Sequence, residues 1–265
     1  MFKALPDLHN ARILISNDDG IHGPGLAIME NIAHMLTDDV WVVVPETEQS
    51  GAGHSLSLHR PLRIRKVSDR KFAVDGTPTD SVLLAVNHIL KDHRPNLVLS
   101  GVNRGANLAD DVTYSGTVAA AMEGTLLGIP SIAMSQEFTE EMNWDAASFY
   151  GAEVIQRLVA VVVAGQWQRN TLMNVNFPAC APNLVKGFEV TTQGRRKLGD
   201  GLTERLDPRD RPYIWIGPQR SEEALVEGTD IAAIDAHRIS ITPLSIDLTD
   251  FSALNALTEV AFPQE

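Results

Sequence analysis

ILISNDDGIHGPGL occupies residues 13–26. Ile13, Leu14, Ile15 and Ser16 suit a buried strand, and they run straight into Asn17, Asp18, Asp19 and Gly20. Gly23, Pro24 and Gly25 follow, and then the helix-like run Leu26-Ala27-Ile28-Met29-Glu30. An apolar strand ending in two carboxylates and a glycine-rich turn puts negative charge at the carboxyl edge of a sheet, where open α/β folds bind ligands. Asn, Asp and Gly also make plain turns, but adjacent carboxylates repel and a plain turn has no need of both. A hard cation that prefers oxygen ligands, Mg²⁺ or Mn²⁺, relieves that repulsion. Side chains alternate on an extended strand. Asp18 and Asp19 therefore share one ion only if the chain bends between them, which Gly20 permits.

A second apolar run, WVVV at 41–44, is closed by Pro45. The segment between the two runs carries Leu26, Ile28, Met29, Ile32, Ala33, Met35 and Leu36 at helical spacing. Strand, helix, strand at this interval reads as a βαβ unit and hence a parallel sheet. Residues 62–67 alternate apolar and basic, a half-exposed strand whose hairpin partner is Phe72-Ala73-Val74. Thr77 and Pro78 suit the cap and first turn of a helix with Val82, Leu83, Val86, Ile89 and Leu90 on its apolar face. NLVLS at 96–100 is a third buried strand, residues 117–127 a helix stopped by Gly128, and residues 131–135 a further strand. A long buried helix over 145–164 and a strand over 172–177 complete the α/β portion.

The texture changes near Pro182. Strands over 187–192 and 213–217 are separated by the charged loop GRRKLGDGLTERLDPRDR, which reads as an extended arm. A late strand over 239–244 and a short helix over 250–257 end the pattern. The division expected is therefore a core at 1–181 that carries the site and an extension at 182–265.

With 265 residues the chain is long enough for one large α/β domain with an appendage. A net charge of −12 argues against a nucleic-acid duplex surface, which needs clustered basic residues. It leaves room for a small phosphorylated substrate. The one cysteine, Cys180, lies between Ala179 and Ala181 and reads as an inert packing thiol. No secretory pattern begins the chain, and the most apolar later stretch, 158–164, falls far below the roughly 20 residues a membrane span needs. A cytoplasmic protein without a membrane partner is expected.

Three loops at the carboxyl edge hold the candidate chemistry. The first carries Asp18 and Asp19, the second Ser50-Gly51-Ala52-Gly53-His54-Ser55, and the third Asn103-Arg104-Gly105-Ala106-Asn107 and Tyr114-Ser115-Gly116-Thr117. Ser115, Gly116 and Thr117 open a helix, whose unpaired first N–H groups and positive dipole end suit a phosphate; Ser115 equally serves as a helix cap. Asn103 and Asn107 either complete an oxygen-ligand cation site or hold loop turns. His54 is a base, a support or an ordinary loop histidine, and Arg104 a phosphate clamp or a surface residue. Arg195, Arg196 and Lys197 read as a solvated face. No GxGxxG follows the first strand, no GxxxxGK[ST] appears, and the carboxylates are adjacent where an aspartyl-phosphate phosphatase has D-x-D.

Together the loops resemble the SurE family, stationary-phase survival proteins that act as metal-dependent 5′/3′-nucleotidases. The matching stretches are ILISNDDGIHGPGL, VVVPETEQSGAGHSLSL, LVLSGVNRGANLADDVTYSGTVAAAMEG, GIPSIAMS, EGTD and SITPLSIDLT, in the family's order over nearly the whole chain. The resemblance implies a Rossmann-like three-layer α/β fold with a C-terminal hairpin arm that exchanges between subunits, as a homodimer or homotetramer. It implies one divalent cation per subunit, Mg²⁺ or Mn²⁺, held by Asp18, Asp19, Ser50 and Asn103. Phosphate contacts are implied from Asn103, Ser115, Gly116 and Thr117, and catalytic work from Asp18, Asp19 and Asn103. The substrate implied is a nucleoside monophosphate. The alternatives on the same loops are a short-chain exopolyphosphatase or broad phosphomonoesterase, and a sensor that binds nucleotide without turnover. His22-Gly23, Glu46 and His237-Arg238 depart from the family pattern without touching an implied ligand.

Overall fold

A computed structural model describes residues 2, 5–139, 143–198, 201–217, 220–222 and 225–261. In chain order the elements are β1 (Ile13–Ser16), α1 (Pro24–His34), β2 (Val40–Pro45), β3 (Ile64–Ser68), β4 (Lys71–Val74), α2 (Pro78–Leu84) and β5 (Leu97–Arg104). Then come α3 (Gly116–Leu126), β6 (Ser131–Gln136), α4 (Asp145–Val163), β7 (Thr171–Phe177) and β8 (Phe188–Val190). The arm strands β9 (Arg196–Leu198), β10 (Leu202–Leu206), β11 (Pro212–Ile216) and β12 (Arg220–Glu222) follow, and α5 (Asp230–Asp235), β13 (Ile239–Ser245) and α6 (Phe251–Ala256) end the series.

Nine strands form one sheet in the order β3-β4-β2-β1-β5-β6-β7-β13-β8. β4, β2, β1, β5, β6 and β7 are mutually parallel, while β3 and β13 run against their neighbours β4 and β7. Chain order reverses at β1: β2 lies on one side and β5 on the other. That is the switch point where a crevice opens at the carboxyl ends of the strands.

The alternation of buried residues explains why Ile13, Leu14 and Ile15 of β1 are apolar in succession. Ile13 and Ile15 face one core with Leu26, Met29 and Ile155, under α1 and α4. Leu14 faces the other with Val82, Val86 and Ala120, under α2 and α3. Helices on both faces require apolar residues at every position, and each such side chain contributes roughly 1.5–3 kcal/mol. Thr77 caps α2 as expected: its hydroxyl accepts from the Asp80 amide at 3.1 Å, and Asp80 accepts from the Thr77 amide at 2.9 Å.

Several expectations are corrected. β5 does not stop at Ser100 but continues to Arg104, through a register shift against β6 and a cis Gly101–Val102 peptide. Asn103 and Arg104 thus sit on a strand end. α4 as a whole is long and apolar enough to cross a membrane by length and composition, though the apolar run at 158–164 is not. Its inner face, with Val154, Ile155 and Leu158, is buried in the core against α1.

The charged loop of the arm is one nested hairpin. β9 pairs with β12 at its base and β10 with β11 at its tip, turning at Asp207–Arg211. Arg196 is no solvated residue: it is buried and pairs with buried Asp111 at 2.6 Å. The Lys197 side chain lies outside the described residues. The sheet also crosses the expected 181/182 division, because β8 and β13 extend it beyond β7.

Candidate active site

The chain bends after β1 because Asn17 folds the turn back on itself. Its Nδ2 donates to the Gly20 carbonyl at 3.0 Å and its Oδ1 accepts from the Gly20 amide at 3.2 Å, with Gly20 at φ +81°. Asp18 is thereby turned inward and buried, and Asp19 is half-buried beside it. The partner of the Asp18 carboxylate comes from α3: the Thr117 hydroxyl donates to Asp18 Oδ1. Gly116 makes this close approach possible, since a Cβ there would sit 2.6 Å from Asp18 Cβ.

Backbone bonds lock the three loops together. Gln49 donates to the Asp18 carbonyl at 2.8 Å, Ile21 to Pro45 at 2.9 Å, and Gly53 to Tyr114 at 3.2 Å. Ser50 is exposed at the rim, its hydroxyl donating to Glu48 at 2.8 Å. Asn103 Nδ2 donates to the Gly105 carbonyl at 2.8 Å, so its amide nitrogen holds the turn and its oxygen remains for another partner. Asn107 is part of the frame: its carbonyl accepts from Asn174 and Asn176, and its side chain donates to Ser135 at 2.8 Å. Ser115 caps α3 by accepting from Val118 at 3.1 Å. His54 pairs with Glu123 of α3 at 3.0 Å, which makes it a support of the second loop.

A cavity of about 700 Å³ opens at this edge, lined by Asp18, Asp19, Ser50, Asn103 and Ser115. Gly116 and Thr117 are not on its wall; Thr117 instead holds Asp18 from behind. Glu48, His22, Tyr114 and Phe138 also line it. Tyr114 belongs to the third loop already singled out; no motif assigns a role to the other three, although Glu48 stands two residues before Ser50.

Burial raises the Asp18 carboxyl above its usual range, with the Thr117 hydroxyl acting in the opposite direction. Asp19 is pushed up to about 6 by burial first and the neighbouring Asp18 charge second, with Glu48 adding to it. Asp19 Oδ2 is buried without a hydrogen-bond partner among the described residues. An unpaired acidic oxygen beside a second carboxylate, with neutral oxygens of Ser50 and Asn103 on the same wall, is a donor set suited to a hard cation. Among the described residues no group of three His, Cys, Asp or Glu side chains is placed to hold a metal, so a cation here would need the neutral oxygens as well. Cys180 takes no part: burial, and then Glu137, push its thiol up.

Fold and cavity together define a Rossmann-like α/β protein with an acidic, oxygen-rich ligand pocket at the switch point of its sheet. A family model described as Survival protein SurE matches residues 13–200. A protein of Paramagnetospirillum magneticum called 5′-nucleotidase SurE is 57% identical over 263 residues, 98% of this chain and 99% of the relative. One of the same name from Rhodospirillum rubrum is 54% identical, covering 97% and 99%. The crystal structure of the SurE protein from Aquifex aeolicus superposes with a TM-score of 0.81 at 36% identity, over 94% of this chain and 98% of that one. The chain belongs to the SurE family.

Proposed function

We propose that this chain is a 5′-nucleotidase, a divalent-cation-dependent phosphomonoesterase that releases phosphate from nucleoside 5′- and 3′-monophosphates. The observation that carries the reading is the adjacent pair on one cavity, Asp18 buried and Asp19 half-buried, with the Asp19 Oδ2 unpaired among the described residues. Relatives that share 54–57% of its residues are named 5′-nucleotidase, which supports the substrate class.

Asp18, Asp19, Ser50 and Asn103 are the residues that would hold Mg²⁺ or Mn²⁺, which when bound would neutralise phosphate charge and acidify a water. The chain's own contribution is orientation. The phosphoryl group lies against Asn103 and Ser115, at the start of α3, where the helix dipole favours negative charge. Thr117 acts one step back, fixing the rotamer of Asp18. Asp18, so fixed, is the carboxylate assigned to accept a proton from the attacking water. The ester P–O bond breaks and its oxygen leaves as the nucleoside hydroxyl, taking up a proton from water.

The exposed apolar residues Leu202, Ile214, Trp215 and Ile216 on the arm, with Phe251 and Leu254 on α6 and Leu257 just after it, fit a homodimer or a dimer of dimers. A cytoplasmic location suits the single reduced cysteine.

The test is phosphate release by purified protein across nucleoside 5′- and 3′-monophosphates, ribose 5-phosphate and short polyphosphate, with and without chelator. Release from nucleotides that chelator abolishes is the expected result; release from polyphosphate alone, or nucleotide binding without release, would replace this reading. Asp19→Asn should lose release by about 100-fold or more while remaining folded. Full turnover and full cation affinity in that variant would remove the pair from the mechanism.

A further inference from the structure

The cavity has one wall that the phosphate chemistry leaves unused. Phe138 lines it, two residues beyond the end of β6, and keeps 45% of its surface exposed. The guanidinium of Arg104 lies over its ring, 4.5 Å from the centroid. This stack is built on the sheet: Arg104 pairs with Gln136 in the β5/β6 register, and the Gly105 amide donates to the Gln136 carbonyl at 2.9 Å. A ring anchored on adjacent strand ends and covered by a planar cation is held in place at little further entropic cost.

We propose that Phe138, with Arg104 over it, is the platform on which the substrate's nucleobase stacks, and that this contact sets the preference for nucleotides over other phosphomonoesters. The inference rests on nucleoside monophosphates being the substrates. Asp18, Asp19, Asn103 and Ser115 on the same cavity meet the phosphate, and they supply no surface for a flat, uncharged heterocycle. Phe138 does. Stacking reads the face of a base and not its edge, so it accepts all four bases and favours the larger purines. Tyr114, 41% exposed on the same cavity, adds a second aromatic surface of the same kind.

The experiment compares kcat/KM for adenosine 5′-monophosphate and for ribose 5-phosphate, which has the same sugar and phosphate without the base. It is run on the wild type, Phe138→Ala and Phe138→Tyr. A stacked base is worth a factor of about ten. The ratio of the two kcat/KM values should therefore fall about tenfold in Phe138→Ala, mainly through KM for the nucleotide, and return in Phe138→Tyr. An unchanged ratio in Phe138→Ala overturns the platform. So does a ratio that falls in both variants, because loop shape and not the ring would then be responsible. A wild type that releases no phosphate from any nucleoside monophosphate sinks the nucleotidase reading itself, and the platform with it.

Discussion

Gly116→Ala should damage the enzyme out of proportion to one methyl group. Gly116 has an ordinary helical backbone, and alanine is the better helix former, so the helix itself loses nothing. The new Cβ, however, would lie 2.6 Å from Asp18 Cβ and 2.9 Å from its Oδ2. That is roughly 0.8 Å inside the distance at which ordinary carbon contacts begin. The obstructed atom belongs to a buried carboxylate bonded to Thr117, not to the free end of a flexible side chain. Either Asp18 or the start of α3 must move by most of that distance. Overpacking of this kind costs about 1–3 kcal/mol of stability. A misplacement near 1 Å at the reacting groups costs on the order of 100-fold in rate. Phosphate release from adenosine 5′-monophosphate should show the loss in kcat/KM, while thermal denaturation of the same sample separates it from unfolding. A folded Gly116→Ala enzyme with the kcat/KM and cation affinity of the wild type would refute the argument that α3 and Asp18 are fitted to each other at this spacing.

Asp18 and Asp19 both have raised pKa values, so without a cation the native state keeps protons that the unfolded chain releases near pH 3.8. Their contribution to stability is therefore present below that pH and lost as the pH rises, that of Asp19 through about 6. Denaturation in chelator should show the wild type losing on the order of 1 kcal/mol relative to Asp18→Asn/Asp19→Asn between pH 4 and 7, after allowance for solvent around Asp19; Mn²⁺ at pH 7 should restore it, and a flat difference would deny the coupling. Arg196→Met leaves the Asp111 carboxylate buried without its 2.6 Å partner and should cost about 3–5 kcal/mol in urea titration. Ile214→Lys/Trp215→Lys charges the exposed arm tip, and light scattering should report a smaller assembly than the wild type.

The parts of this fold that were legible share one property: their signal is local. The runs 13–15 in β1, 40–44 in β2 and 97–99 in β5 are apolar at every position because helices cover both faces, and that needs no knowledge of partners. Asp18 and Asp19 announce themselves by repulsion, and Thr77 and Pro78 by capping chemistry. What escaped depends on distant residues. β10, LTERL, has no buried face, since it pairs only with β11, and so carries no apolar alternation to detect. Arg196 is buried by Asp111, 85 positions earlier. The six residues of α5 are too few for a periodic signal, although Thr229 caps them. β5 runs past Gly101 only because β6 offers Ser135 and Gln136 as partners. His237, at φ +57°, occupies the left-handed position that ends α5, a conformation that favours glycine, so no local propensity marks the stop there. Phe138 and Glu48 belong to the cavity through the loops that present them, and no spacing in the chain reveals it.

β13 lies between β7 and β8, antiparallel to the first and parallel to the second, and it follows the entire arm in sequence. During synthesis the α/β core can therefore assemble as far as β7 while the backbone of that strand still faces water with its donors and acceptors unmatched. A nascent or truncated chain ending before Ile239 would present this bare border to other chains, the geometry that seeds intermolecular pairing. Among the described residues β13 is thus the last long strand in sequence and the one that covers the border of β7.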